Sequence, residues 1–322
     1  PTAVTDKSVA VLPFVAMSRG PDDEYFADGL TEEILNSLTR IPQLLVTART
    51  SAFHFKGQDI PIPEIAATLG VAHVVEGSVR RAGERLRVTA QLIRAEDGFH
   101  LWSETYDHDT SDAFGVQTDI AEKIATALDV VLDEEQLQGM RSVGLQNPEA
   151  YVAFQKGIEI FDDAHGAQAQ LENLLTANEW FERTMALAPD FWDSYNYHAD
   201  YYTHLLLRGA GDDETSTEEL EAAMSSLEDD LGNAMRLAPD AARRNAVAYD
   251  LGVLTGRWRG LMSRFDQIVE HDTCHMPTWP EMLTNAFGRA AEVRELAQRF
   301  IDCDPLSFSG WMTSASASQW LG

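Results

Sequence analysis

Residues 183–190 read RTMALAPD and residues 233–240 read NAMRLAPD. How this near-repeat is read decides the fold of the second half of the chain. The interval is 50 residues from Pro189 to Pro239, 34 from Pro239 to Thr273 and 32 from Thr273 to Pro305. A period of about 34 residues belongs to stacked helix pairs. In such a pair a small residue lets two helices approach, an aromatic fills the gap toward the next pair, and proline stops the second helix. LAPD is then punctuation: apolar residues close one helix, Pro forbids its continuation and Asp caps the next.

Ala177 lies twelve residues before Pro189 and Phe181 eight before it. This is the A-x3-F…P spacing of a tetratricopeptide repeat. The slots recur imperfectly as Leu227, Leu231, Ala234 and Pro239, then Leu261, Phe265, Ile268 and Thr273, then Val293, Ala297, Phe300 and Pro305. Beyond Pro305, Trp311 and Ala315 fall where a further first helix places its large and small residues. The 50-residue interval needs about sixteen extra residues against the usual period. RGAGDDETSTEE, residues 208–219, supplies them as a polar inter-helix loop. The first pair is also stretched, around DDAHGAQAQ at 162–170.

The first half has another rhythm. SVAVLPF, residues 8–14, is the β-branched apolar run of a buried strand. In DDEYFADGLTEEILNSLTRIP, Phe26, Leu30, Ile34, Leu38 and Ile41 recur at helical spacing, with acidic residues early and Arg40 late, as the helix dipole favours. LLVT at 44–47 is a second strand, and PIPEIAATLG a short helix that stops at Gly70. Three strands follow, VAHVVEGSV, ERLRVTAQLI and GFHLWSETYD, the first two joined by a hairpin turn at RRAGE. Alternation puts Leu86, Val88, Ala90 and Leu92 on one face. A last helix runs from Ser111, with Phe114, Ile120, Ile124, Ala127, Leu128 and Val131 on its apolar side. These elements make an α/β domain with helices on at least one face of its sheet.

Twenty-four basic against fifty-two acidic residues give a net charge of −28, which repels phosphate backbones. Arg80, Arg81, Arg85, Arg87 and Arg94 crowd the central hairpin without the interleaved aromatics that nucleic-acid binding needs. Arg85 and Arg87 are expected to pair across strands with Glu76 or to meet the acidic second half. Glu32 and Glu33 read as a solvated helix face. No G-x-S-x-G, phosphate-loop, G-x-G-x-x-G or H-E-x-x-H motif occurs. HDTCH at 271–275 reads as a polar helix junction before a zinc site, and DHD at 107–109 as a strand-to-helix turn with a capping role before an ion site. Two cysteines, Cys274 and Cys303, are too few for a disulfide framework; as two lone thiols in a helical array they read as small buried hydrophobes before a single bridge, which needs an oxidising compartment.

SVAVLPF…EYFADGLTEEILNSL…VVEGSVRRAGERLRVTAQLI…HLWSETYD resembles the TolB-like amino-terminal domain, over roughly residues 7–135. The resemblance implies an α/β TolB-like domain over residues 1–145 followed by an all-α tetratricopeptide-repeat solenoid over 146–322. It also implies the setting of such regions, the C-terminal part of bacterial membrane-anchored adenylate or guanylate cyclases or of winged-helix transcriptional regulators. The function expected is a periplasmic, non-enzymatic sensory and protein-interaction region. A dimerisation scaffold is the alternative function and the cytoplasm the alternative location. No catalytic residue, metal or cofactor is expected. Because the chain starts at Pro1 and stops inside a helix read as unfinished, it is expected to be part of a longer protein; the resemblance implies a membrane anchor and an output domain outside it.

Tetratricopeptide grooves bind peptides or helices on their concave side. In that register, within DFWDSYNYHADYYTHLLL at 190–207, Tyr195, Ala199 and Tyr202 pack inward, leaving Asp193, Asn196, Asp200 and His204 on the groove. Arg243, Asp250, His275 and Asn285 continue that surface. The partner expected is a protein or peptide, with no nucleic acid and with homodimer formation open.

Overall fold

Val9 and Val11 face one hydrophobic core, while Ala10 and Leu12 belong to another. This explains why β1 (Ser8–Val11) is apolar over its last three residues: it is buried on both sides. The computed structural model describes the chain apart from residues 1–4, 21, 42, 84, 110–112, 131, 133–144, 146, 166–170, 210–214, 271–284 and 286. Two units form, residues 1–144 with 297–312, and residues 145–296 with 313–322.

In the first unit, β1 lies between β3 (Leu45–Val46) and β4 (His73–Ala82) and is parallel to both; β2 (Val15–Ala16) also runs parallel to β4. From β4 the sheet continues antiparallel through β5 (Arg85–Arg94) to β6 (His100–Asp109). The β4–β5 turn contains Gly83 at φ 62°, a left-handed conformation that glycine adopts without steric cost. Helices α1 (Asp23–Leu38) and α4 (Ala113–Ala127) share a core with Val9, Val11, Val75 and the row Leu86, Val88, Ala90 and Leu92. On the other sheet face, α3 (Ile62–Leu69) packs with Ala10, Leu12, Phe55 and Val74. The short helix α2 (Arg49–Phe53) meets the returning segment of this unit: Ser51 Oγ donates to Asp304 Oδ1 at 2.5 Å and accepts from Leu306 N at 2.9 Å.

The second unit contains helices α5 (Pro148–Ala164), α6 (Leu171–Leu187), α7 (Trp192–Gly209), α8 (Thr217–Leu237), α9 (Ala241–Leu254) and α10 (Leu261–Glu270). Each packs against the next in sequence. No strand occurs among its described residues. Ala177 and Phe181 are fully buried, as are Leu227, Ala234 and Phe265. Helices α6 and α8 both end two residues before their prolines. Asp240 caps α9, its side chain accepting from Arg243 N at 2.8 Å.

Two further helices, α11 (Ala290–Cys303) and α12 (Phe308–Leu321), close the described chain. Trp311 and Ala315 do not fill inward slots of α12: both are exposed, and Gly310, Thr313 and Ala317 are the buried positions. The register is set by the buried face, not by side-chain size.

Other expectations also change. Arg85 and Arg87 pair with Asp109 and Asp107 on β6, not with Glu76, because register places those aspartates directly opposite. Glu76 is taken by Gln91. DHD at 107–109 therefore lies inside β6 rather than in a turn. Glu33 is buried, so it is no part of a solvated face. The 208–219 stretch is loop over less of its length than expected, since α7 runs to Gly209 and Ser216 caps α8 in a reciprocal capping box with Glu219. HDTCH, with Thr273 and His275, lies outside the described residues.

Candidate functional site

The site is built on α7, whose buried face meets the cleft at Ala199. Ala199 is buried with Leu227, Leu231 and Ala234, and Tyr195 and Tyr202 pack against the same cluster, as the repeat register expects. The next face along carries Asn196, Asp200 and Thr203, which line a cleft of about 160 Å³ together with Phe161, Asp250 and Leu254. Leu231 of α8 also lines it, so its walls come from α5, α7, α8 and α9.

A polar network holds α7 in place. His198, on the buried side of this helix, has Nδ1 2.7 Å from Asp230 Oδ2 on α8, while Asn178 on α6 donates to the His198 carbonyl at 3.1 Å. The aromatic rings of Phe154, Phe161, Phe181 and Tyr197 interlock below, with Phe161 and Tyr197 perpendicular at 4.9 Å and Phe181 and Tyr197 stacked at 5.6 Å. Phe161 therefore joins this packed cluster to the cleft wall.

Beside the cleft, three side chains converge. Asp200 Oδ2 lies 3.2 Å from His165 Nε2 and 3.4 Å from His204 Nε2, and the two ring nitrogens are 3.2 Å apart. His165 packs against Phe161 at 4.3 Å, and its Nδ1 lies 2.9 Å from the Phe161 carbonyl. A carbonyl only accepts, so Nδ1 carries the proton and, in the neutral ring, the Nε2 lone pair faces Asp200 and His204. Burial of the His165 ring works against its charged form, but the adjoining Asp200 carboxylate outweighs this and holds its pKa above the ordinary histidine value. Asp200 Oδ2 itself is shut off from solvent.

Of the expected groove residues, Asn196, Asp200 and Asp250 meet in the cleft. His204 stands one turn beyond Asp200. Asp193 lies in the first turn of α7. Arg243 is turned to the end of its own helix, with Nη1 2.5 Å from Asp240 Oδ2. Asn285 is buried, and His275 lies outside the described residues. His165 was not foreseen. Asp200 and His204 are four apart on one helix, a spacing visible in sequence, but His165 arrives from the end of α5 with no local motif to announce it.

Cys303 is disulfide-bonded, not the buried free thiol that its sequence setting favours. None of the described helices is long and apolar enough to cross a membrane.

No family model matches the chain. Putative adenylate cyclase 3 from Rhizobium meliloti (strain 1021) is 45% identical over 144 residues, which is 45% of this chain and 24% of that protein. The chain thus spans about a quarter of the length of this relative. Among solved structures, lipoprotein GNA1162 from Neisseria meningitidis aligns with 15% identity and a TM-score of 0.30 over 37% of this chain and 96% of its own. TolB from Acinetobacter baumannii aligns with 16% identity and a TM-score of 0.28 over 38% of this chain and 28% of its own. At TM-scores of this size the structural likenesses carry no inference.

Proposed function

We propose that the chain is the sensory and protein-interaction region of a bacterial signalling protein, binding a protein or peptide in the cleft lined by α5, α7, α8 and α9 and performing no catalysis itself. The observation that carries this reading is the α7 face on which Asn196 and Asp200 open into the cleft, with Ala199 forming part of its floor and Tyr195 and Tyr202 anchoring the helix in the cluster behind. Sequential packing of the helices, with Ala177 and Phe181 buried at the repeat spacing, supports a tetratricopeptide-type groove. The relative named a putative adenylate cyclase supports a signalling setting, with the cyclase or other output domain outside these residues. A half-cystine at Cys303 fits an oxidising compartment such as the periplasm.

The test is capture of a specific partner from the envelope fraction of the source bacterium. Asn196→Arg fills the cleft and adds a positive charge near Asp200 and Asp250 without touching the buried face of α7. The expected result is loss of the protein captured by wild type; undiminished capture by this variant removes the cleft from the model.

A further inference from the structure

We infer that His165, Asp200 and His204 form a binding site for a divalent transition-metal ion of the zinc type, with one coordination position left open. The three ligand atoms are separated by 3.2, 3.2 and 3.4 Å. Zinc bonds of about 2.0–2.1 Å at tetrahedral angles place neighbouring ligand atoms about 3.3 Å apart. One ion can therefore reach all three atoms from just outside their plane, leaving a fourth direction for water or a side chain of a bound partner. Two imidazoles and one carboxylate suit zinc and its first-row neighbours and are a poor set for calcium or magnesium, which take oxygen ligands.

The surroundings prepare the site. The Phe161 carbonyl at 2.9 Å holds the proton on His165 Nδ1 and aims Nε2 inward, which is the outer-shell arrangement of metal-bound histidines. The Phe161 ring packs against the same imidazole and fixes its plane. Asp200 and His204 sit four residues apart on α7, so the helix itself sets their separation. Asp200 Oδ2 is inaccessible to water and receives no well-directed hydrogen bond among the described residues, which leaves a carboxylate oxygen available inside the cluster. The competing reading is an ion pair between protonated His165 and Asp200, which has no need of a metal.

The inference does not depend on the cleft's taking a protein partner, since Asn196→Arg leaves all three ligands in place. Its test is calorimetric titration of the chelator-stripped full chain with Zn²⁺ alone, paired with Co²⁺ titration read by the intense visible absorption of tetrahedral cobalt. Wild type is expected to bind one equivalent at this site and to unfold at a higher temperature when loaded. His165→Asn and His204→Asn are each expected to weaken that binding by at least about tenfold, the scale on which even supporting residues matter. His54→Asn, on an exposed ring of the first unit, keeps it unchanged. Circular dichroism of His165→Asn, a change at a partly exposed position, separates lost binding from lost fold. Absence of Zn²⁺ binding by wild type overturns the inference. So does binding that survives in the His165→Asn/His204→Asn double variant, because the ion would then lie elsewhere, for instance on residues 271–275.

Discussion

A single hydrogen atom in place of a methyl group decides how closely α5 and α6 approach. A Cβ built on Gly157 would stand 2.5 Å from the Phe181 ring, well inside contact distance. Gly157→Ala relieves backbone entropy in the helix but cannot be accommodated without moving a fully buried aromatic. It is expected to destabilise the second unit by about 1–3 kcal/mol in denaturant titration, the usual cost of overpacking. At His73 the issue is charge. Burial in the sheet pushes this imidazole below its ordinary pKa of 6.5; the Ser8 backbone opposes this in part, Arg94, opposite it on β5, adds a lesser push downward, and Asp6 opposes it least. A folded pKa below the unfolded one means that the neutral ring favours folding. Its contribution is complete above pH 6.5 and drains away as pH falls toward the folded value. The first unit should therefore lose stability between neutral and mildly acidic pH, and His73→Gln should reduce that loss. An unchanged pH dependence in His73→Gln would assign the effect to other groups.

At the scale of elements, the two copies of LAPD share a spelling but not a role. Asp240 caps α9 directly, whereas α7 begins at Trp192, two residues after Asp190. Asp240→Ala is expected to cost about 1 kcal/mol by loss of the cap, with a smaller loss for Asp190→Ala. Equal losses would show that local turn structure, not capping, sets both. The pairing of α7 with α8 rests on apolar packing and on the buried His198–Asp230 contact at 2.7 Å. Asp230→Ala leaves the imbedded imidazole without its acceptor and is expected to cost about 2 kcal/mol. Most of these elements were legible from sequence because apolar period and breaker residues act locally: Phe26, Leu30, Ile34 and Leu38 mark one buried helix face, and Gly70, at φ 69°, marks the end of α3. What pattern could not supply was pairing. Which strand faces Arg85 and Arg87 depends on sheet register, and that register gives Asp109 and Asp107 rather than Glu76. The burial of Glu33 and the outward turn of Trp311 likewise depend on what packs over each helix, information held far away in the chain.

For the molecule as a whole, the candidate site shows the same division. Asn196, Asp200 and Asp250 could be read from helical register, because that register fixes which side of α7 and α9 they occupy. His165 could not, because its place beside Asp200 follows from how α5 packs against α7's neighbours. The disulfide state of Cys303 bears on the compartment: in protein recovered from the periplasm its thiol is expected to react with an alkylating reagent only after reduction. Ready alkylation without reduction would argue against that location. The central claim, that a partner occupies the cleft, is most directly tested by photo-crosslinking in the envelope fraction. A photoreactive residue at Asn196 is compared with one at Glu172, which is exposed on α6 and does not line the cleft. One discrete adduct from position 196 and none from 172 is the result expected; the same adducts from both positions, or none from 196, would contradict it.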